Sequence, residues 1–218
     1  MSATTQNHRG DYLEEHIQTL SDDSIISVSS DSPGILVYPT DTLYALGCRA
    51  DLAKDCAKIF TIKGRAEKKP LLLLADSIDM IRDFGGLIDL NLEKKLEEFW
   101  PGPLTVILPV KPGVNIKHLN QDTQTLAFRI PDNPLTIKLI SYIGAMLVGT
   151  SANISNEVPP SSIDMVPEKI LKACDHIFKQ DQPLRGKPST IVEINNHGKA
   201  RLIRVGEIDF ARIQAFMD

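Results

Sequence analysis

The chain has 218 residues, 42% of them hydrophobic and 24% charged, values that suit one large globular domain with a substantial core and exclude a wholly disordered polymer. Its formal net charge of -4 excludes a surface made throughout for non-specific nucleic-acid binding, while leaving room for a local basic groove. Cys48, Cys56 and Cys174 form no CxxC pair and the histidines no HxH or HxxxH pair, so neither a disulfide framework nor a zinc site is indicated. That cysteine usage points to a reducing cytoplasm. No apolar run nears the roughly 18 residues of a membrane span, and the polar start lacks the apolar core of a signal peptide.

Residues 1 to 10 are expected to be frayed. Tyr12 to Leu20 then has Leu13, Ile17 and Leu20 on one face and predicts a short helix. After a turn at Asp31-Ser32-Pro33-Gly34, Ile35 to Tyr38 reads as a buried strand that stops at Pro39. Thr40-Asp41-Thr42 puts hydroxyls and a carboxylate at that strand's exit. A helix from about Asp51 to Ile62, with Leu52, Cys56 and Ile59 inward, delivers the chain to Lys63. Leu71 to Leu74 is an apolar run and a candidate central strand; Ser77 to Phe84, capped by Ser77, and Leu90 to Trp100 read as helices.

The second half continues the alternation. Leu104 to Val110 and Leu126 to Ile130 are predicted strands around a polar loop. Pro134 to Ile143 is a helix with proline in its first turn, and Met146 to Gly149 a buried strand running into Thr150-Ser151-Ala152-Asn153. A proline- and serine-rich loop at Val158 to Ser162 precedes a helix near Pro167 to Ala173. Asp175 to Phe178, Ser189 to Ile194 and Ala200 to Arg204 are predicted strands, and Asp209 to Phe216 a closing helix. Strands outnumber the crossovers of pure βαβ winding, which predicts a single α/β domain with a twisted sheet of mixed direction and helices packed on it.

The sequence contains no GxxxxGK[ST], GxGxxG or GxSxG, so any phosphate would be bound by side chains and strand-end amides. Lys63, Arg65, Lys68 and Lys69 make a basic knot just before Leu71 in an otherwise acidic chain. Such a run is a solvated loop or, with a mobile ammonium and a rigid guanidinium side by side, a polyphosphate site. Lys63 and Arg65 converge on one ligand only where the preceding helix has ended, and Gly64 and Pro70 favour that ending. Ser151 and Asn153 are also two apart after a buried strand, and form either an ordinary turn or one wall of a pocket. Arg129 is a cation within an apolar strand, held by a structural carboxylate or aimed at an anionic ligand; Arg204 poses the same question. Trp100-Pro101-Gly102-Pro103 is read as a rigid helix-to-strand turn.

Taken in order, Tyr38-Pro39-Thr40-Asp41-Thr42, Lys63-Gly64-Arg65, Trp100-Pro101-Gly102-Pro103-Leu104-Thr105, Arg129-Ile130-Pro131, Ser151-Ala152-Asn153, Ser189-Thr190-Ile191 and Arg204 resemble the YrdC-like threonylcarbamoyl-AMP synthases. The resemblance spans about residues 25 to 208. It implies the family's fold, an α/β twisted sheet with a concave basic cavity, in the short single-domain form. It also implies the family's reaction, in which L-threonine, bicarbonate and ATP give threonylcarbamoyl-AMP and pyrophosphate for threonylcarbamoyl-adenosine formation in tRNA. By the same resemblance Lys63, Arg65, Ser151 and Asn153 surround the nucleotide phosphates, with Lys63 and Arg65 catalytic. Thr125 and Arg204 match nucleotide contacts, and Thr40, Arg129 and Ser189 hold threonine. Magnesium is expected on the ATP triphosphate, with no metal ligand set of the protein's own. The implied partners are tRNA or tRNA-modification proteins.

The chain departs from the family pattern at Ala45, Ala66, Thr150 and Val205, and at Leu74, where some members have histidine. These positions bear on the amino-acid substrate more than on the nucleotide. Two alternatives follow: a diverged paralogue performing another carbamoyl or adenylyl transfer, and an RNA-binding, translation-associated module. Against the second stand the acidic charge and the lack of an aromatic-rich basic strand.

Overall fold

The computed structural model describes residues 16–64, 70–195 and 198–217. The segment expected to fray, residues 1 to 10, lies outside them, as does Arg65. In place of one sheet the chain builds two, both of mixed direction. The first contains β1 (Ile17–Thr19), β2 (Leu36–Pro39), β3 (Tyr44–Gly47), β8 (Thr150–Ser151) and β9 (His176–Lys179), in the order β1-β9-β2-β3-β8. The second contains β4 (Leu72–Leu74), β5 (Leu104–Pro109), β6 (Thr125–Arg129), β7 (Leu147–Val148), β10 (Thr190–Ile194) and β11 (Ala200–Arg204), in the order β11-β10-β5-β6-β4-β7. The helices are α1 (Asp22–Ile26), α2 (Ala53–Lys63), α3 (Ile78–Phe84), α4 (Leu90–Leu96), α5 (Pro134–Ile143), α6 (Glu168–Leu171) and α7 (Phe210–Met217).

Two sheets arise because one stretch of chain serves both. Residues 147–151 were expected to leave a single strand at Gly149; instead β7 pairs with β4 on one side of this glycine and β8 pairs with β3 on the other. Gly149 is also closely packed, since a Cβ there would press on the Leu74 side chain. Strand β2 lies between β9 and β3 with all four residues buried, and its pleat feeds two cores. Val37 faces the larger cluster, while Leu36 and Tyr38 face a smaller one completed by Leu139, Ile140 and Ile143 of α5.

Helix α2 carries the fold to the site. Cys56, Ile59, Phe60 and Lys63 are its buried residues, at the i, i+3, i+4, i+7 spacing of one helical stripe, so the last turn points a lysine inward. Gly64 then ends the helix at φ 58, a left-handed conformation that glycine adopts without strain. The helix was expected to stop at Ile62. Lys63 is therefore a helical residue, not the first of an extended segment.

Three other expectations change. Within Tyr12 to Leu20 the described residues have His16 helical and then strand β1, which extends the first sheet by parallel pairing with β9, so the expected helix does not reach Leu20. Helix α1, unforeseen, starts at a capping box in which Ser21 and Ser24 satisfy each other's backbone N–H groups. The helix from Leu90 ends at Leu96, and Phe99 and Trp100 fold back through N–H bonds to the Leu96 carbonyl.

The join between the sheets is tight at Gly47, where an added Cβ would overlap the carbonyl oxygen of Val148. Because backbone cannot move aside cheaply, Gly47→Ala is expected to cost about 2–3 kcal/mol. A thermal melt followed by circular dichroism should then fall by roughly 5–10 °C.

Candidate active site

A cavity of about 530 Å³ opens where the two sheets meet, and both contribute walls. Its floor is apolar, from Leu72, Leu74, Ile107, Ala127 and Ile191 of the second sheet; its polar side includes Thr40, Thr42, Thr150, Ser151 and Ser189. Arg129 and Arg204 are the cations among the described residues that line it. The strand pleat explains the aim of Arg129, which shares with Ala127 the cavity face of β6.

Arg129 is 3% exposed and almost fully committed. Its Nε donates to the Gly102 carbonyl at 2.9 Å and Nη1 to Thr42 Oγ1 at 2.9 Å, while Nη2 forms an ion pair with Asp41 Oδ1. Burial lowers its pKa and the Asp41 carboxylate opposes that shift. The structural-carboxylate alternative is thus observed, in a residue that also lines the cavity. The turn at Trp100-Pro101-Gly102-Pro103 supplies the Gly102 carbonyl, and Trp100 Nε1 donates to the Leu104 carbonyl at 2.7 Å.

Thr40 is saturated by its own turn. Its Oγ1 donates to the Leu43 carbonyl at 2.7 Å and accepts the backbone N–H groups of Thr42 and Leu43, each at 3.2 Å. The Thr42 hydroxyl, 3.0 Å away, completes a line from Arg129 through Thr42 to Thr40. The same turn is clamped from outside. Arg185 N–H donates to the Asp41 carbonyl at 3.1 Å and Gly186 N–H to the Thr42 carbonyl at 2.9 Å. Asp41 Oδ2 is buried without a hydrogen-bond partner among the described residues, with Arg185 Nε 3.8 Å from it.

Arg204 approaches from β11. Nη2 donates to the Ser189 carbonyl at 2.8 Å and to Ser189 Oγ at 3.1 Å, and burial lowers the guanidinium pKa. Ser189 Oγ in turn lies 2.8 Å from Thr105 Oγ1.

Lys63, 3% exposed, places its ammonium within the Ser151–Asn153 turn. It donates to the carbonyls of Ser151 and Asn153, the latter at 2.8 Å, and lies 3.4 Å from Asn153 Oδ1. Ser151 Oγ donates to Asn153 Oδ1 at 2.5 Å, and Asn153 Nδ2 is fixed by the Ile154 and Glu157 carbonyls. A turn and a pocket wall are here the same object: Ser151 lines the cavity, and Lys63 and Asn153 brace it from behind. Thr125 lies on the same face of β6 as Ala127 and Arg129 but beyond the lining residues, its hydroxyl 2.8 Å from Thr123 Oγ1. The fold therefore brings Thr40, Arg129, Ser151, Ser189 and Arg204 to one cavity with Lys63 and Asn153 behind, and leaves Thr125 to one side.

Asp41 and Thr42 belong with these residues. Thr40-Asp41-Thr42 was legible as a polar strand exit, but the destination of the carboxylate depended on a partner 88 positions away. Arg185, in a loop without a local signal, could not be found from sequence.

Such an arrangement defines an α/β protein with a cationic cleft shared by two mixed sheets. The sequence model of the Sua5/YciO/YrdC family, described as telomere recombination, matches residues 16–206, and the chain belongs to this family. Over 179 residues it is 34% identical to the threonylcarbamoyl-AMP synthase of Buchnera aphidicola, covering 78% of this chain and 95% of that protein. The Bacillus subtilis threonylcarbamoyl-AMP synthase is 33% identical over 132 residues, which are 61% of this chain and 38% of the relative. The crystal structure of Pyrococcus abyssi Sua5 complexed with L-threonine superposes with a TM-score of 0.77 at 28% identity, over 84% of this chain and 53% of that one. The chain thus spans nearly all of one relative and about half or less of the other two. Among the described residues no helix is long and apolar enough to cross a membrane.

Removing one member of a buried ion pair strands the other, at about 3–5 kcal/mol. Asp41→Asn is expected to lose stability of that order in a denaturant titration. Asp41→Asn combined with Arg129→Gln should cost less than the sum of the two single changes, giving a clear coupling in the double-mutant cycle.

Proposed function

We propose that this chain makes threonylcarbamoyl-AMP from L-threonine, bicarbonate and ATP, releasing pyrophosphate, as the intermediate for threonylcarbamoyl-adenosine in tRNA. The observation that carries this reading is the cavity lined by two guanidinium groups, the buried Arg129 and the more open Arg204, over an apolar floor, in a chain related to threonylcarbamoyl-AMP synthases. Its volume is in the range of small-molecule sites.

In the reaction the threonine amine and bicarbonate give a carbamate and water. A carbamate oxygen then attacks the α-phosphorus of ATP, and pyrophosphate departs with the electrons of the bond to the bridging oxygen. Neither step requires a protein nucleophile; orientation and stabilisation of anionic charge supply the acceleration. Arg129 receives the threonine carboxylate through the N–H groups it does not spend on Gly102, Thr42 and Asp41. Thr40 and Ser189 frame the amino acid. Arg204 and Thr125 contact the nucleotide, and Lys63 and Arg65, with Ser151 and Asn153, surround its phosphates. Lys63 reaches them if its ammonium exchanges a carbonyl of the Ser151–Asn153 turn for phosphate oxygen. Magnesium would be carried on the ATP triphosphate, where it would neutralise part of the phosphate charge. The product is consumed by an acyl transfer to tRNA, which makes tRNA or its modification proteins the downstream partners.

Leu74 and Ala45, two departures from the family pattern, both line the cavity. They favour a second reading in which another amine takes the place of threonine in the same adenylate-forming reaction.

Purified protein should release pyrophosphate from ATP only when L-threonine and bicarbonate are both supplied, and Lys63→Ala should lower kcat by about a hundredfold or more. Release that needs bicarbonate but responds to a different amine would select the second reading. ATP-independent RNA binding without turnover would sink both.

A further inference from the structure

The charges around Arg129 do not end at Asp41. Arg129 and Asp41 largely cancel each other, so a carboxylate arriving beside the pair meets repulsion as well as attraction, in an interior where water screens neither. Outward of them stand Arg185 and Asp132. Arg185 Nε lies 3.8 Å from Asp41 Oδ2, and its Nη2 donates to Asp132 Oδ2 at 3.2 Å. Charge therefore alternates in sign from core to surface along Arg129, Asp41, Arg185 and Asp132.

Two features mark this row as able to rearrange. Asp41 Oδ2 is buried and lacks a hydrogen bond among the described residues, an unfavourable state for a carboxylate oxygen. The guanidinium that could satisfy it is 44% exposed and stands in long ion-pair range at 3.8 Å, while it gives its hydrogen bond to Asp132, which is 54% exposed. The Arg185 backbone is already docked, through the N–H bonds of Arg185 and Gly186 to Asp41 and Thr42, so only a side-chain movement is needed.

We propose that Arg185 is a positioning residue for the amino-acid substrate, acting through Asp41 on Arg129. It closes on Asp41 Oδ2 when the substrate carboxylate meets Arg129, exchanging Asp132 for Asp41. With Arg185 closed on Asp41 the three inner groups carry one net positive charge, which the carboxylate neutralises; with Arg185 hydrogen-bonded to Asp132 that charge is largely offset by the outer carboxylate. Substrate binding and the inward position of Arg185 are then linked, each favouring the other. Asp132 holds the open arrangement and competes with substrate. The proposal rests on the reading of Arg129 as the carboxylate anchor.

The test measures pyrophosphate release by the wild type and by Arg185→Gln, Arg185→Lys and Asp132→Asn, varying L-threonine and ATP separately. Arg185→Gln should raise KM for threonine about three- to fivefold and Asp132→Asn should lower it by a similar factor, the size expected of a part-exposed charge pair. KM for ATP and kcat should stay at wild-type values, and Arg185→Lys should recover part of the affinity by keeping the charge. Threonine KM unchanged in Arg185→Gln, threonine and ATP KM rising together, or a weaker threonine KM in Asp132→Asn would each overturn the assignment. A wild type indifferent to threonine removes the anchor reading and this proposal with it. Threonine-dependent turnover in a wild type matched by Arg185→Gln removes this proposal alone.

Discussion

The ion pair between Arg129 and Asp41 is the constraint on which the cavity depends. Each partner comes from a different sheet: Arg129 closes β6 of the second, and Asp41 follows β2 of the first. Neither charge is supportable alone in the interior, so the pair forces the exit turn of β2 against the end of β6. Gly102 and Thr42 complete the guanidinium's hydrogen bonds and tie in the turn before β5. A buried pair of this kind is a weak source of net stability; its effect here is to fix the relative position of two sheets at the mouth of a cleft.

The second brace is the turn around Lys63. An ammonium at the end of α2 gathers carbonyls from Ser151 and Asn153, the segment that has just crossed from one sheet to the other at Gly149. The two braces differ in kind. Arg129 is balanced by a carboxylate, whereas the bonds that fix the Lys63 ammonium to this turn are made with neutral carbonyl dipoles.

Much of the fold was legible in the sequence because it is local. The apolar runs at Leu71 to Leu74 and Leu104 to Val110, the cap at Ser77 and the first-turn proline Pro134 state their own structure. The number of sheets was not, because it depends on which strand finds which partner. Residues 147–151 look like one strand and its exit, and only the pairing with β4 and β3 divides them. Strand β3 was given no element of its own, its short apolar stretch lying between the polar Thr40-Asp41-Thr42 and the helix after it. Of the site, Arg129, Arg204 and Ser151 stood out as polar groups in or beside apolar strands, and Ser189 entered only through the family resemblance. Asp41 had the right chemistry but no visible partner, and Arg185 had neither, since its meaning lies in a contact across 144 positions of chain.

Helix α2 shows a different sort of dependence. Its buried stripe begins at Cys56 and ends at Lys63, two full turns later, so the lysine's direction is set by the count of residues and by little else. Each residue advances the helix by about 100°. Inserting or deleting one residue between Cys56 and Lys63 would leave composition and helix propensity almost untouched, yet would swing the ammonium round the axis away from the Ser151–Asn153 turn. The phase of this helix, more than its content, is what evolution of the chain must preserve.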